Sequence, residues 1–182
     1  MRLFKVEKTV EIPEEVNVEI DGRVVTISGE KGTLTRDFSH APISIQKEGS
    51  RIIVGMDWPR KKEAATAGTI SSHIKNMILG TTKGFTYKLK IVFSHFPISV
   101  KVQEGEVLIE NFTGERGQRR AKIVGETKVL VKTEDVIAQG INLEDVSQTA
   151  ANIEQATKVK IKDPRVFLDG IYVYERLEGL ES

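Results

Sequence analysis

One pattern of strands and glycines occurs twice in this chain, and that limits the fold more than any other feature. Residues Val18 to Gly32 read VEIDGRVVTISGEKG, and Val100 to Gly117 read VKVQEGEVLIENFTGERG. Each copy has an alternating strand, a turn on Gly22 or Gly105, and a second alternating strand. Each then has a Gly-Glu-Lys/Arg-Gly loop, at Gly29–Gly32 and at Gly114–Gly117. Two glycines three apart supply positive φ for a tight reversal, with the charged pair at its tip. Self-similarity at such a long period points to two copies of one folding unit.

The echo continues through Arg51-Ile52-Ile53-Val54 and Lys128-Val129-Leu130-Val131, then a helix, then a closing strand. The first helix is expected from about Arg60 to Thr81, opened by Pro59 and closed by Gly80 or Gly84. Its apolar residues Ala67, Ile70, Ile74, Met77 and Ile78 share one face. In the second half Asn142 is a good N-cap with Asp145 three residues on, and Ile141 can staple to Val146. Val146, Ala150, Ile153 and Ala156 or Thr157 form the inner stripe. Each helix is expected to hand over to a strand, Gly84-Phe85-Thr86-Tyr87 in one half and Gly170-Ile171-Tyr172-Val173 in the other.

The predicted class is therefore α+β: two tandem copies of a small domain, each an antiparallel or mixed sheet with one helix packed on it. The expected boundaries are a repeat at 1–83, a long strand at 84–95 linking the repeats, and a second repeat at 96–182. The linking strand keeps Phe85, Tyr87, Leu89, Ile91 and Phe93 on one face. It runs into Phe96-Pro97-Ile98 without a Gly or Ser spacer, so a fixed mutual orientation of the halves is expected.

Apolar residues make up 39% and charged residues 29% of 182, enough for a core in each half. No run approaches the roughly 18 apolar residues that span a bilayer. The opening MRLFKVEKTVEIPEE lacks the apolar core of a signal peptide, so a cytoplasmic location without a membrane partner is expected. Cysteine is absent, which removes thiol nucleophiles and thiolate metal sites. His40, His73 and His95 fall in a turn, a helix and a strand end, with no metal-ligand spacing. The loop Gly29–Gly32 is no phosphate loop, because Lys31 precedes its second glycine and Thr33 opens a strand. No nucleophile elbow or zinc-peptidase motif occurs. The sequence reads as a binding protein rather than an enzyme, with no catalytic residue, metal or cofactor.

Charge distribution says where binding would occur. Residues 1–95 hold 15 basic and 11 acidic side chains, whereas residues 96–182 hold 12 and 15. Inside the acidic second half, Arg116, Arg119, Arg120 and Lys122 form one basic window with no acid between them. Lys158, Lys160, Lys162 and Arg165 form another, broken only by Asp163. Cations at a period of two on an extended segment can face one polyanion while Val159 and Ile161 face the protein. The same spacing also fits an edge strand kept soluble by its lysines. For the 116–122 window the competing reading is a solvated hairpin whose arginines pair with Glu106, Glu110 or Glu126.

The second window continues into a signature. Gln155, Val159, Lys162, Arg165, Phe167, the run Asp169-Gly170-Ile171-Tyr172-Val173, and Arg176 closely resemble the C-terminal motif of the ribosomal protein L six family, in its archaeal and eukaryotic branch. Lys31-Gly32-Thr33-Leu34-Thr35-Arg36-Asp37-Phe38, SSHIKNMILGTTKGFTYKL and SHFPISV are similar to that family as well, so the resemblance spans essentially the whole chain. It implies two copies of one α+β domain that bind large-subunit ribosomal RNA, mainly through the C-terminal copy. The implied place is near the sarcin-ricin loop and stalk base, beside neighbouring ribosomal proteins and with translation factors affected indirectly. It also implies backbone contacts at Lys158, Lys160, Lys162 and Arg165, while Arg176 of the signature and Arg116, Arg119, Arg120 and Lys122 are further candidates for RNA contact. Phe167 and Tyr172 would support the strand, and Asp169-Gly170 would form the turn that aims it. A net charge of +1 is low for such a protein, so binding is expected through local patches. The alternatives are a non-ribosomal RNA-binding module, or a protein scaffold using Phe93, Phe96 and Ile98 as an apolar face.

Overall fold

The computed structural model describes residues 4–94, 96–160, 163 and 166–181. In the first part of the chain, β1 (Lys5–Glu11), β5 (Ser44–Glu48) and β6 (Arg51–Asp57) form a sheet in the order β1-β6-β5. Strands β2 (Asn17–Asp21), β3 (Val24–Gly29) and β4 (Gly32–Asp37) form a second sheet in sequence order. All these pairings are antiparallel. Helix α1 (Lys61–Thr82) packs against both sheets.

Helix α1 begins where the backbone N–H of Arg60 donates to Glu63 at 2.7 Å. It stops at Gly84, whose φ of +81° cannot continue a right-handed helix. The face read from the sequence is the buried one: Ala67, Ile70, Ile74, Met77 and Ile78 join Val25, Ile27, Phe38, Ile52 and Val54. Each large side chain fully buried here contributes roughly 1.5–3 kcal/mol, so packing rather than intrinsic propensity holds α1.

The chain divides after α1, into Met1–Lys83 and Gly84–Ser182. In the second unit, β7 (Phe85–Val92), β11 (Lys128–Val131), β12 (Asp135–Gly140) and β13 (Gly170–Glu178) form an antiparallel sheet ordered β11-β12-β7-β13. Strands β8 (Ser99–Gln103), β9 (Glu106–Glu110) and β10 (Arg119–Lys122) form the other sheet. Helix α2 (Leu143–Ala156) packs on β7, β10, β12 and β13. Asn142 caps it as expected: its Oδ1 accepts from Glu144 N–H at 3.1 Å, and its Nδ2 donates to Asp145 at 2.9 Å. Val146, Ala150 and Ile153 are buried against Leu89, Ile109, Val136 and Ile171.

The two-copy α+β class is as the sequence implied, with one helix per unit, but the phasing of the repeat differs. The first unit has no strand returning after its helix. The residues expected there form β7, which lies between β12 and β13. The order β1-β6-β5 corresponds to β7-β12-β11, and β13 is an added strand on the far side of β7. Arg51–Val54 and Lys128–Val131 are thus not equivalent: β6 is central in its sheet and β11 is at an edge.

The repeated Gly-Glu-Lys/Arg-Gly motif also splits. Gly29 and Gly32 face each other across a two-residue hairpin. A Cβ on Gly29 would lie 2.6 Å from the Thr81 carbonyl oxygen, so the hairpin seats directly on the end of α1. Gly114 and Gly117 instead lie in the loop from Asn111 to Gln118, which opens with a short 3-10 turn at Phe112–Gly114. Asn111, Thr113 and Gly114 there have φ of 57°, 51° and 78°. Of the proposed apolar face, Ile98 is buried in the second core, while Phe93 and Phe96 are exposed. No helix among the described residues is long and apolar enough to cross a membrane.

Candidate nucleic-acid interface

The two basic windows, far apart in sequence, meet at the C-terminal end of α2. Arg119 on β10 makes the junction. Its Nη1 donates to the carbonyl of Ala156 at 2.8 Å and to that of Lys158 at 3.3 Å. Its Nε and Nη2 grip both carboxylate oxygens of Glu115, at 2.9 and 2.6 Å. The guanidinium carbon lies 4.2 Å from the centroid of the fully buried Phe112 ring. With its side chain only 24% exposed, Arg119 is a strut inside the protein rather than an outward cation.

Thr157 closes the same junction from the other side. It is buried, and its Oγ1 accepts the Ile171 N–H at 2.9 Å while also bonding the Glu154 carbonyl. The start of β13 is thereby fastened to the end of α2. The described ends of the segment between them are thus anchored, at Thr157 and at Ile171. Lys158 and Lys160 are exposed, whereas Val159 between them packs on the second core. These residues are not in a strand, yet the in-out alternation read from the sequence holds over this stretch. Neither lysine makes an ion pair among the described residues. Ile161, Lys162 and Arg165 lie outside the described residues.

The return limb is fixed by the signature residues. The Val166 and Phe167 N–H groups both donate to the Asp163 carbonyl, at 3.1 and 3.0 Å. Asp169 is buried and accepts the Ser94 N–H at 2.7 Å, so it anchors the loop to the segment just after β7. The Tyr172 hydroxyl donates to the Leu168 carbonyl at 3.1 Å. Its ring crosses Gly170 so closely that a Cβ there would meet the ring at 2.8 Å. Phe167 is half-buried, and Gln155 is exposed on the last turn of α2.

The remaining candidates divide by geometry. Arg116 and Lys122 are exposed and form no ion pair among the described residues. Arg120 reaches Glu106 across the strand pair at 3.7 Å, as the solvated-hairpin reading anticipated. Gln103, Glu106, Leu108, Gln118, Arg120 and Lys122 line an open depression of about 510 Å³ on that face. Arg176 is elsewhere: six residues along β13 from Gly170, about 20 Å at strand rise, with its guanidinium 5.6 Å from the Tyr87 ring centroid. The struts at Arg119 and Thr157 were not legible as such, because their partners are main-chain groups distant in sequence.

A family model for ribosomal protein L6 matches the chain twice, over residues 12–84 and 96–170. The chain belongs to the ribosomal protein L6 family. Among its L6 relatives is a large ribosomal subunit protein uL6 of Desulfurococcus amylolyticus, 52% identical over 98% of this chain and 99% of that protein. The protein of the same description from Staphylothermus marinus is 53% identical over 96% and 97%, and that of Methanosphaera stadtmanae is 51% identical over the whole of both. The two matched L6 segments each contain one of the helices.

Proposed function

We propose that this chain is a structural constituent of the large ribosomal subunit in the cytoplasm and holds ribosomal RNA through its second unit. The observation that carries the reading is the double L6 match, together with relatives of matching length that are large-subunit proteins. RNA is gripped by the loop after α2, with Lys158, Lys160, Lys162 and Arg165 contacting phosphates and Arg116 and Lys122 extending the surface. The fastening of its ends by Thr157 and Arg119 supports this, because a segment tethered at both ends loses less conformational entropy on binding than a free one. The role is architectural rather than catalytic. Its place is the factor-binding region near the sarcin-ricin loop and stalk base, beside neighbouring ribosomal proteins, with translation factors affected indirectly.

The full chain should sediment with large subunits through a moderate salt wash and protect a discrete set of RNA nucleotides from hydroxyl radicals. Changing Lys158, Lys160, Lys162 and Arg165 together to Ala should remove that protection and flatten the salt dependence while leaving the folding transition unchanged. Recovery of the wild-type chain only in the particle-free fraction would exclude the ribosomal reading and favour a free RNA-binding module.

A further inference from the structure

The chain's single tryptophan sits where a core residue would not. Trp58, just past β6, is 65% exposed, and Phe4, just before β1, is 73% exposed. The two rings meet edge to face with centroids 4.9 Å apart. This pair is held deliberately: Trp58 has a φ of 53°, costly for a bulky residue, and its N–H donates to the Phe4 carbonyl at 2.9 Å. The edge contact leaves most of the indole surface open. Burial in this unit's own core therefore does not account for the two rings or for the strained backbone beneath one of them.

The residues that follow carry charge of one sign. Pro59 is buried and fixes the turn, and Arg60, Lys61 and Lys62 are exposed. None of the three makes an ion pair among the described residues. Glu63, in the first turn of α1, is turned onto the Arg60 N–H, and Asp57, the last residue of β6, is the acid that precedes the cations in sequence. Two to four residues of chain separate these cations from the ring, within about 7 to 14 Å. A stacking surface with cations beside it fits an unpaired base on a phosphate backbone better than a protein face, which would bring acids or apolar side chains to three unpaired cations.

We infer that Trp58, seated on Phe4 and flanked by Arg60, Lys61 and Lys62, is a second RNA contact in which the indole stacks on an unpaired base. It lies in the first unit and is separate from the loop after α2. The inference rests on the large-subunit reading above.

The test exchanges the full-length chain in large subunits and reads base reactivity along the ribosomal RNA with a base-specific methylating reagent. The wild-type chain should protect at least one unpaired base that becomes about tenfold more reactive with Trp58→Asn. That substitution keeps a residue tolerant of the backbone geometry but removes the ring. Trp58→Phe should restore most of the protection. Lys61→Gln with Lys62→Gln should weaken protection at that base as salt is raised, and leave the protection due to the 158–165 loop unchanged. Identical reactivity for wild type and Trp58→Asn in particles that retain the chain would overturn the inference and leave the ribosomal role intact. Loss of a neighbouring protein from the particle with no change at any base would mark the pair as a protein contact instead. Failure of the wild-type chain to enter particles would overturn the ribosomal reading itself.

Discussion

At the scale of single residues, cations that look alike in sequence do different work. Arg119 and Lys158 are both candidates from basic windows, yet one holds the loop and the other faces outward. Arg119→Ala removes charge-assisted bonds to two carbonyls and to Glu115, and should cost about 2 kcal/mol of stability. It should also expose the 158–169 segment to protease before the rest of the chain. Lys158→Ala or Lys160→Ala should leave the denaturation midpoint within about 0.5 kcal/mol of wild type. Each should instead lower the salt slope of RNA binding by about one. A contrast between two glycines is equally sharp. Gly29→Ala forces a Cβ against the Thr81 carbonyl and should destabilise by about 1–3 kcal/mol, whereas Gly117→Ala meets nothing within 4 Å and should be nearly neutral. Equal effects in urea denaturation would argue that the two motif copies are structurally equivalent after all.

At the scale of elements, the helices were the most legible part of the chain. Their apolar stripes, with Ile70 and Ile153, and the Asn142 cap are local signals that the fold leaves as they stand, whereas the Glu63 bond that starts α1 was not read from the sequence. Strand partners were less legible, because Phe85–Val92 pairs with residues 135–140 and 170–178, and no periodicity within β7 encodes that choice. A strand following each helix made the halves look in phase, although only the second unit keeps its strand. Of the site, the alternation of Lys158, Val159 and Lys160 could be read directly, but the contribution of Thr157 needed the distant Ile171 N–H to be seen. Lysine–glutamate pairs of the second unit predict the acid response. Lys101 holds Glu110, Lys90 holds Glu134 and Lys88 holds Glu181, each carboxyl lying below its ordinary range chiefly through the lysine hydrogen bond. With these groups depressed in the folded state, the unfolded chain takes up protons first. Stability is therefore complete above the ordinary glutamate pKa of about 4.3 and falls as pH drops through the lower folded values. Urea midpoints measured from pH 7 to pH 3 should fall in that lower window. Replacing Glu110, Glu134 and Glu181 by Gln should make the fall shallower.

At the scale of the whole molecule, β7 decides what can be cut. A fragment of residues 84–182 keeps the full β11-β12-β7-β13 sheet and should give cooperative unfolding and dispersed amide resonances. A fragment of residues 96–182 follows the boundary that the sequence invited, loses the strand between β12 and β13, and should remain unfolded. Folding of the shorter piece would show that β13 can pair with β12 directly. The position of β7 also has a consequence for the newly made chain. The first unit ends at α1, so everything it needs has been synthesised by Lys83. The second unit opens with β7, but one edge of that strand pairs with β13, and the Gly84 carbonyl accepts the Gly179 N–H at 2.9 Å. Translation therefore delivers the first unit early and withholds the second until β13 has been made. A chain released before β13 would carry a finished first unit, but the end of α2 would lack its bond to the Ile171 N–H.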